Sequence, residues 1–244
     1  LAEKLSKMQE FAELYYARSP KNRKKLLEEL KSFNFGYLCL CKICKSFIQT
    51  MLKLLPPNGE NHVLLHSCCA PCSSAIIECM LANNIRPTVF YCNPNIYPRE
   101  EYEVRKNEAI RFVTSQGLDF VDADYDYEHW KSLMQGLEDE PERGVRCLNC
   151  FTLRLTETAR YAATHGFTLF TTTLASSRWK SLEQINEAGR RAAARYPGTL
   201  FWEQNWRKGG LQERRNQLLH EYDFYNQQYC GCEFSMRRLT EKNI

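Results

Sequence analysis

The stretch LLHSCCAPCSS, residues 64–74, places two adjacent cysteines and then a third directly behind a short apolar run. The run has the composition of a buried strand, and from about Ser73 onward apolar side chains recur with the period of a helix. The predicted inward face of that helix consists of Ala75, Ile76, Cys79 and Met80. Since ligands of parallel sheets gather at the carboxyl ends of the strands, Cys68, Cys69 and Cys72 are expected at an active site. Their place at a helix N-terminus is also expected to lower the pKa of these thiols.

Strand-like and helix-like segments alternate along most of the chain. Helical patterns separate four strand candidates, residues 62–67, 87–92, 118–124 and 167–174. This alternation predicts an α/β fold in which helices cover both faces of a parallel sheet. Residues 1–58 are rich in Lys and Glu and pass into the turn-forming sequence LPPNGEN. We predict a helical appendage and linker there, with the main domain at residues 59–244.

Cysteine usage points to a reducing compartment. The chain has 244 residues and twelve cysteines, and six of the twelve form the close pairs Cys68/Cys69, Cys147/Cys150 and Cys230/Cys232. Such spacing is typical of metal and redox sites, and not of the disulfide framework of a small secreted domain. A cytoplasmic location is therefore expected. No secretory signal pattern is visible, and lysines interrupt the apolar residues 37–55, so no membrane span is predicted.

The second cysteine pair lies in RGVRCLNC, residues 143–150, just ahead of a predicted helix. Its C-x-x-C spacing is compatible with half of a zinc site, a thioredoxin-like dithiol or half of an iron–sulfur site. A zinc site normally brings a second C-x-x-C, whereas the candidate partner here is a vicinal pair. Adjacent thiolates suit a multi-iron cluster because neighbouring side chains diverge. The four predicted ligands are Cys68, Cys69, Cys147 and Cys150.

The third pair, Cys230 and Cys232, flanks Gly231. Glycine permits the tight backbone of a C-x-C disulfide, and the strain in such a bridge raises its reduction potential. We predict a pair that cycles between dithiol and disulfide, with two further metal ligands as the alternative. Core packing explains a further group of cysteines better than a metal does, because its members alternate with Leu and Ile; they are Cys39, Cys41 and Cys44.

Three aspartates follow the third strand candidate in DADYDYEHW, residues 122–130. They stand at the edge of the sheet where a metal-binding or acid–base group belongs, and Asp124 is the preferred candidate. The alternative is an ordinary acidic loop in which Asp126 caps the next helix.

The formal net charge of +4 is mild, but the basic residues are unevenly distributed. Residues 178–215 contain nine Lys or Arg against four Glu, with Trp179, Trp202 and Trp206 among them. This composition suits a polyanion with exposed bases, and a solvated helical face is the alternative.

Taken together, the motifs resemble those of the cobalamin-independent epoxyqueuosine reductases of the QueH type. The resemblance covers about residues 61–235 and rests on LLHSCCAPCSS, FYCNPNIYPREEYEVR, DADYDYEHW, GLEDEPERGVRCLNCFTLRLTETA, FTTTL followed by INEAGR, and YNQQYCGC. It implies a fold like the HUP-type nucleotide-binding domains, with cysteines in place of the nucleotide loop.

The resemblance also implies the cofactors. A [4Fe-4S] cluster would be bound by Cys68, Cys69, Cys147 and Cys150, and Cys230 and Cys232 match the family's redox-active pair. An adjacent mononuclear iron, held by cysteine and aspartate, is mapped to Asp124. Cys72 belongs to the motif without an assigned role.

The implied reaction is the reduction of epoxyqueuosine to queuosine at the wobble position of tRNA anticodons. The implied partners are that tRNA, which residues 178–215 would contact, and an unidentified electron donor. A zinc-stabilised RNA-binding module without catalysis is the alternative, and a thioredoxin-like oxidoreductase is a weaker third. Iron with acid-labile sulfide would support the reductase, whereas a single zinc would support the module.

Overall fold

A five-stranded, all-parallel sheet forms the centre of the protein in a computed structural model, which describes residues 52–236. Its strands are β1 (His62–His66), β2 (Arg86–Tyr91), β3 (Phe120–Asp122), β4 (Leu169–Thr172) and β5 (Leu200–Phe201). Their order across the sheet is β3-β2-β1-β4-β5. The four strand candidates of the sequence are confirmed. The strand β5 was not predicted, because two residues are too short for a period-2 pattern.

A further helical segment begins at Glu233, and six helices between residues 70 and 221 surround the sheet. They are α1 (Ala70–Ala82), α2 (Arg99–Ser115), α3 (Tyr127–Leu133), α4 (Val145–Thr164), α5 (Leu182–Arg195) and α6 (Leu211–Glu221), and a 3-10 turn follows β4 at Thr173–Ser176. Helix α1 packs against α2 and α6, whereas α4 packs against α5. These two groups cover opposite faces of the sheet, which confirms the predicted α/β architecture.

The central strand β1 has a neighbour on each side. Leu65 is paired with Val89 of β2 and with Thr171 of β4. From β1 the chain proceeds outward through β2 to β3, and then crosses back to form β4 on the other side. The strand order therefore reverses between β1 and β4, the place at which open parallel sheets bind ligands.

Helix α1 begins at Ala70, three residues earlier than the sequence pattern indicated. Pro71 lies in the first turn, where proline is tolerated because the first N–H groups of a helix have no intrahelical partner. The hydroxyl of Ser73 donates a hydrogen bond to the carbonyl of Cys69 at 2.8 Å. Cys69 is thus the N-cap, and Cys72 lies in the first helical turn.

The predicted appendage, with Cys39, Cys41 and Cys44, lies mostly outside the described residues, and its existence stays a prediction. The described end of this segment contacts the domain: the side chain of Asn83 donates to the carbonyl of Leu52 at 3.0 Å and accepts from the N–H of Leu54 at 3.0 Å. Across residues 52–236, none of the helices combines the length and apolar character that crossing a membrane would require.

Close packing of α5 on β5 depends on Gly189. A Cβ at this position would lie 2.2 Å from the ring of Phe201. We expect Gly189→Ala to lower the free energy of unfolding by roughly 1–2 kcal/mol, because the steric cost exceeds the gain in helix propensity. Denaturant unfolding measures the change. In a Phe201→Leu background, Gly189→Ala should lower the free energy of unfolding by less. An equal loss in both backgrounds would show that the Phe201 ring does not cause the steric clash.

Candidate metal centre

Three thiols lie together where β1 passes into α1. The Sγ atoms of Cys68, Cys69 and Cys72 are all within 4.8 Å of one another, and those of Cys68 and Cys69 are 3.8 Å apart. Cys69 is buried, whereas Cys68 and Cys72 are partly exposed. The sheet topology produces this arrangement, since the turn after the central strand holds two cysteines and the first helical turn adds the third.

Two polar side chains from other parts of the chain contact these thiols. Thr173, directly after β4, accepts a hydrogen bond from the N–H of Cys68 at 3.1 Å and donates its hydroxyl to Cys68 Sγ at 3.4 Å. The amide of Gln227 donates to Cys69 Sγ at 3.0 Å. Sulfur ligands that accept hydrogen bonds are held in fixed orientations, and their donors tune the potential of a bound metal.

The C-x-x-C pair lies in the first two turns of α4. Cys147 and Cys150 are three residues apart, so their side chains share one face of the helix. The helix begins at Val145, whose N–H donates to the Glu140 carboxylate at 3.1 Å. The N–H of Arg143, a residue with φ of +69°, donates to Cys147 Sγ at 3.3 Å.

Cys230 and Cys232 lie on a segment that returns to the same region from the far end of the described chain. No disulfide joins these two cysteines in this structure, and their predicted cycling between dithiol and disulfide stays a prediction. Arg105 donates to the carbonyls of Cys230 and Tyr229, each at 3.3 Å, and forms an ion pair with Glu101 at 2.6 Å. Gly231 has φ of +125°, a conformation that favours glycine.

One cavity of about 600 Å³ joins these parts. The cysteines that line it are Cys68, Cys72, Cys147, Cys150, Cys230 and Cys232. Cys69 is not among the lining residues, although its Sγ atom contacts that of Cys68. Cysteines that are far apart in the sequence therefore line one cavity, and their assignment as ligands stays a prediction. The thiols that lie within 4.8 Å of one another are Cys68, Cys69 and Cys72, and this close group does not include Cys147 or Cys150. Several thiols converging on one cavity form the donor set that iron–sulfur clusters require, so the residues fit such a group.

Two cations face the thiols from within the cavity. Arg154 is buried, and its Nε donates to the carbonyl of Cys92 at 3.1 Å. Burial alone would lower the pKa of Arg154, but negative charge at Cys150 and Cys68 outweighs it and the pKa is raised. The pKa of Lys180 is raised in the same way, because the thiolates of Cys230 and Cys68 outweigh burial. Both side chains stay charged and can balance the negative charge of thiolate ligands.

The thiols do not share the lowered pKa that the helix N-terminus suggested. The pKa of Cys68 lies well below its usual value because the thiols of Cys69 and Cys72 donate to it. Burial raises the pKa of Cys69, and the hydrogen bond to Cys68 raises that of Cys72 to about 11. Burial likewise raises the pKa of Cys147 to about 11. Burial and hydrogen bonds between the thiols therefore give neighbouring cysteines opposite shifts in pKa.

The histidine before the thiols is a structural residue. His66 is fully buried, and both ring nitrogens have partners: Nδ1 lies 2.8 Å from the hydroxyl of Thr172 and Nε2 lies 3.0 Å from the carbonyl of Cys92. Burial, followed by the charge of Arg154, lowers the pKa of His66 to about 3. A neutral imidazole with both ring nitrogens bonded makes His66 a satisfied core residue that links neighbouring strands.

The aspartates lie at the carboxyl end of β3, at the edge of the sheet. Asp124 is exposed, has φ of +62°, and is not among the residues that line the cavity. Its predicted role at a mononuclear iron stays a prediction. Asp126 caps α3 by accepting from the N–H of His129 at 3.1 Å, as the alternative interpretation of this loop expected.

The fold buries some residues of the basic, tryptophan-bearing segment 178–215 and exposes others. Trp202 and Trp206 are buried and pack edge-to-face with ring centroids 5.6 Å apart, so they belong to the core and not to a surface that stacks bases. Arg190 and Arg191 form ion pairs with Glu187 on the exposed side of α5. Trp179 is different, since 79% of its surface is exposed and it lines the cavity.

Sequence patterns missed the side chains that surround the thiols, although a signal was present for two of them. Arg105 occurs on the buried face of α2 between Tyr102 and Ala109, and Arg154 occurs on the buried face of α4. A charged residue in an apolar helical stripe marks a buried ion pair or a functional site. Thr173 and Gln227 carry no such signal, because they meet the thiols only through tertiary contacts.

The fold and the site together define a class: a parallel α/β protein with a cysteine-rich centre that could hold a metal, at the position where related folds bind nucleotides. The family model described as "Epoxyqueuosine reductase QueH" matches residues 63–238. An "Epoxyqueuosine reductase QueH" from Histophilus somni is 47% identical over 200 residues, which cover 80% of this chain and 82% of that protein. Proteins with the same name from Haemophilus influenzae and Acinetobacter baylyi are 48% and 45% identical, over 78% and 76% of this chain and 77% and 85% of theirs.

The chain therefore belongs to the QueH family of epoxyqueuosine reductases. It is an enzyme of the oxidoreductase class, as the motifs predicted. A catalytic family disfavours the alternative of a purely structural zinc module.

Arg105 is a positioning residue for the Cys230–Cys232 segment, because it contacts that segment and not the cavity thiols. We expect Arg105→Met to lower the free energy of unfolding by about 2 kcal/mol, since the partly buried Glu101 loses its ion pair and keeps only the hydrogen bond from the Tyr225 hydroxyl. Hydrogen exchange of residues 229–232 should also accelerate. The matched control is Arg99→Met on the same helix, whose ion pair with Glu103 is long, at 3.9 Å, and exposed; its effect should stay within about 0.5 kcal/mol. Equal effects of the two variants would contradict the role of Arg105.

The thiol pKa values predict an order of alkylation in chelator-treated, reduced protein. Thiolate is the reactive form, so at pH 7 iodoacetamide should modify Cys68, whose pKa is lowered, faster than Cys147, whose pKa is about 11. The rate at Cys147 should rise about tenfold per pH unit up to its pKa, while that at Cys68 should rise less steeply. Peptide mass spectrometry measures both rates. Faster modification of Cys147 at neutral pH would contradict this assignment.

Proposed function

We propose that this chain reduces epoxyqueuosine to queuosine at the wobble position of tRNA, the last step of queuosine synthesis, in the cytoplasm. We propose further that a [4Fe-4S] cluster is bound by Cys68, Cys69, Cys147 and Cys150. The observation that carries this proposal is the convergence of cysteines from β1, α4 and the 226–232 segment on one cavity, in a chain of the QueH family. When bound, the cluster supplies electrons one at a time, and a second iron supplies Lewis acidity at the epoxide oxygen.

The reaction requires two electrons and two protons. Both C–O bonds of the epoxide break, a carbon–carbon double bond forms, and the oxygen leaves as water. Oxidation of a dithiol to a disulfide releases the same two electrons and two protons. Cys230 and Cys232 line the cavity as free thiols, so we propose that they store one reducing pair per turnover. The unidentified electron donor would then reduce the disulfide.

Two positively charged side chains of the cavity have a role in the proposed reaction. Arg154 and Lys180 line the cavity, and both retain their charge beside the thiols. Fixed cations in a partly closed site stabilise negative charge that develops on the oxygen as its bonds to carbon weaken. The same two cations offset the negative charge of the cysteine ligands.

We also propose candidate ligands for the second iron. Cys72 lines the cavity and its Sγ atom lies within 4.8 Å of the other two thiols, so this cysteine is available to bind a metal. Asp124 is the carboxylate that the family resemblance maps to this iron.

Anaerobic incubation with epoxyqueuosine-bearing tRNA and a strong reductant tests the activity. Nucleoside mass spectrometry should show the loss of one oxygen atom. Unchanged epoxyqueuosine with fully metal-loaded protein would contradict the proposed reaction.

Replacement of a single ligand tests the cluster. We expect Cys147→Ser to remove both the visible absorption of the protein and its turnover, because serine is a poor cluster ligand. Cys79→Ser is the control, since Cys79 is buried in α1 and does not line the cavity. Iron and acid-labile sulfide are measured in both. Turnover by a colourless Cys147→Ser protein, or zinc in place of iron in the unaltered protein, would contradict the cluster.

A further inference from the structure

The turn at residues 177–180 presents a tryptophan to solvent at the cavity. The N–H of Lys180 donates to the carbonyl of Ser177 at 3.3 Å, which places Arg178 and Trp179 at the two central positions of the turn. Trp179 is the most exposed large apolar side chain among the described residues. An indole held in water at this position is unfavourable unless a partner covers it.

Two arginines hold the backbone of this turn. Arg143 donates from Nε to the carbonyl of Trp179 at 2.8 Å and from its terminal nitrogen to that of Arg178 at 3.1 Å. Arg207 donates to the carbonyl of Lys180 at 2.8 Å. Three successive carbonyls are thus fixed by side chains from outside the turn. These hydrogen bonds set the position of the Trp179 backbone before any partner binds.

The charge around Trp179 indicates the chemistry of its partner. Arg143, Arg178, Lys180 and Arg215 line the same cavity. A fixed aromatic surface surrounded by cations is the combination that binds single-stranded nucleic acid, because bases stack on the ring while the cations contact phosphates. The buried Trp202 and Trp206 cannot serve in this way.

We infer that Trp179 is a stacking platform for an unpaired base of the anticodon loop, next to the nucleoside that enters the cavity. This inference rests on the proposed function and assigns one residue to recognition of its RNA. Arg143 and Arg207 are positioning residues that hold the platform in place. Stacking of a neighbouring base would fix the loop while the modified nucleoside lies among the thiols.

Equilibrium binding without turnover tests the inference. The probe is an anticodon stem-loop RNA with epoxyqueuosine at the wobble position, and the protein is the full, metal-loaded chain. We expect Trp179→Ala to weaken binding roughly 10- to 100-fold, the range of a single stacked base, and Trp179→Phe to retain most of the affinity. Leu133→Ala is the control, because Leu133 is an exposed apolar residue outside the cavity.

Salt dependence separates stacking from charge. The loss of affinity caused by Trp179→Ala should be the same at every salt concentration. Arg178→Gln should instead reduce the steepness of log affinity against log salt concentration by about one, the effect of one lost phosphate contact. A double-mutant cycle combines Trp179→Ala with stem-loops that each lack one loop base. Removal of the base that stacks on Trp179 should weaken binding to the unaltered protein but cause no further loss of affinity in Trp179→Ala.

Each outcome bears on a distinct statement. No binding by the unaltered protein would overturn the proposed function and the stacking platform together. Equal binding by the unaltered protein and Trp179→Ala, or no loop base coupled to Trp179, would overturn the platform alone. Normal RNA binding by Trp179→Ala with slower re-reduction of the enzyme would also overturn it, and would assign this surface to the electron donor.

Discussion

Pairing of the central strand β1 with both β2 and β4 is the constraint on which the site depends. The chain leaves β1 toward one side of the sheet and returns on the other, so the turns after β1 and β4 meet at the carboxyl edge. In folds of this topology that edge binds nucleotides. Here Cys68 and Cys69 follow β1, and Thr173 follows β4 and contacts Cys68 through two hydrogen bonds. The same backbone arrangement here presents thiols.

Buried charge is the second organising feature of this centre. Arg154 is enclosed in the protein, and such a cation is tolerated when its hydrogen bonds are satisfied and negative charge lies nearby. The Cys68 thiol, whose pKa is lowered, provides negative charge, and the positive charge of Lys180 helps to lower that pKa. Cations and thiols therefore stabilise one another, which explains why a cavity rich in sulfur also contains basic side chains.

The segment at residues 225–232 closes the site from the far end of the described chain. Its contacts are distributed: Tyr225 donates its N–H to Glu108 at 2.7 Å, Gln227 donates to Cys69, and Arg105 holds two carbonyls. A segment held at several points keeps Cys230 and Cys232 at the cavity without a regular strand or helix at that position. Cys230 and Cys232 consequently line the same cavity as Cys68 and Cys72.

The sequence by itself determined the α/β class, four of the five strands, the inward face of α1 and the groups of cysteines, because each is encoded by local periodicity or spacing. It also determined the family, since several specific motifs occur together in order. Tertiary structure alone decided which tryptophan is exposed, which arginines hold backbone carbonyls, and which thiol has a lowered pKa. Burial, hydrogen bonds between distant residues and cavity shape set these properties, and they exist only once the elements have packed.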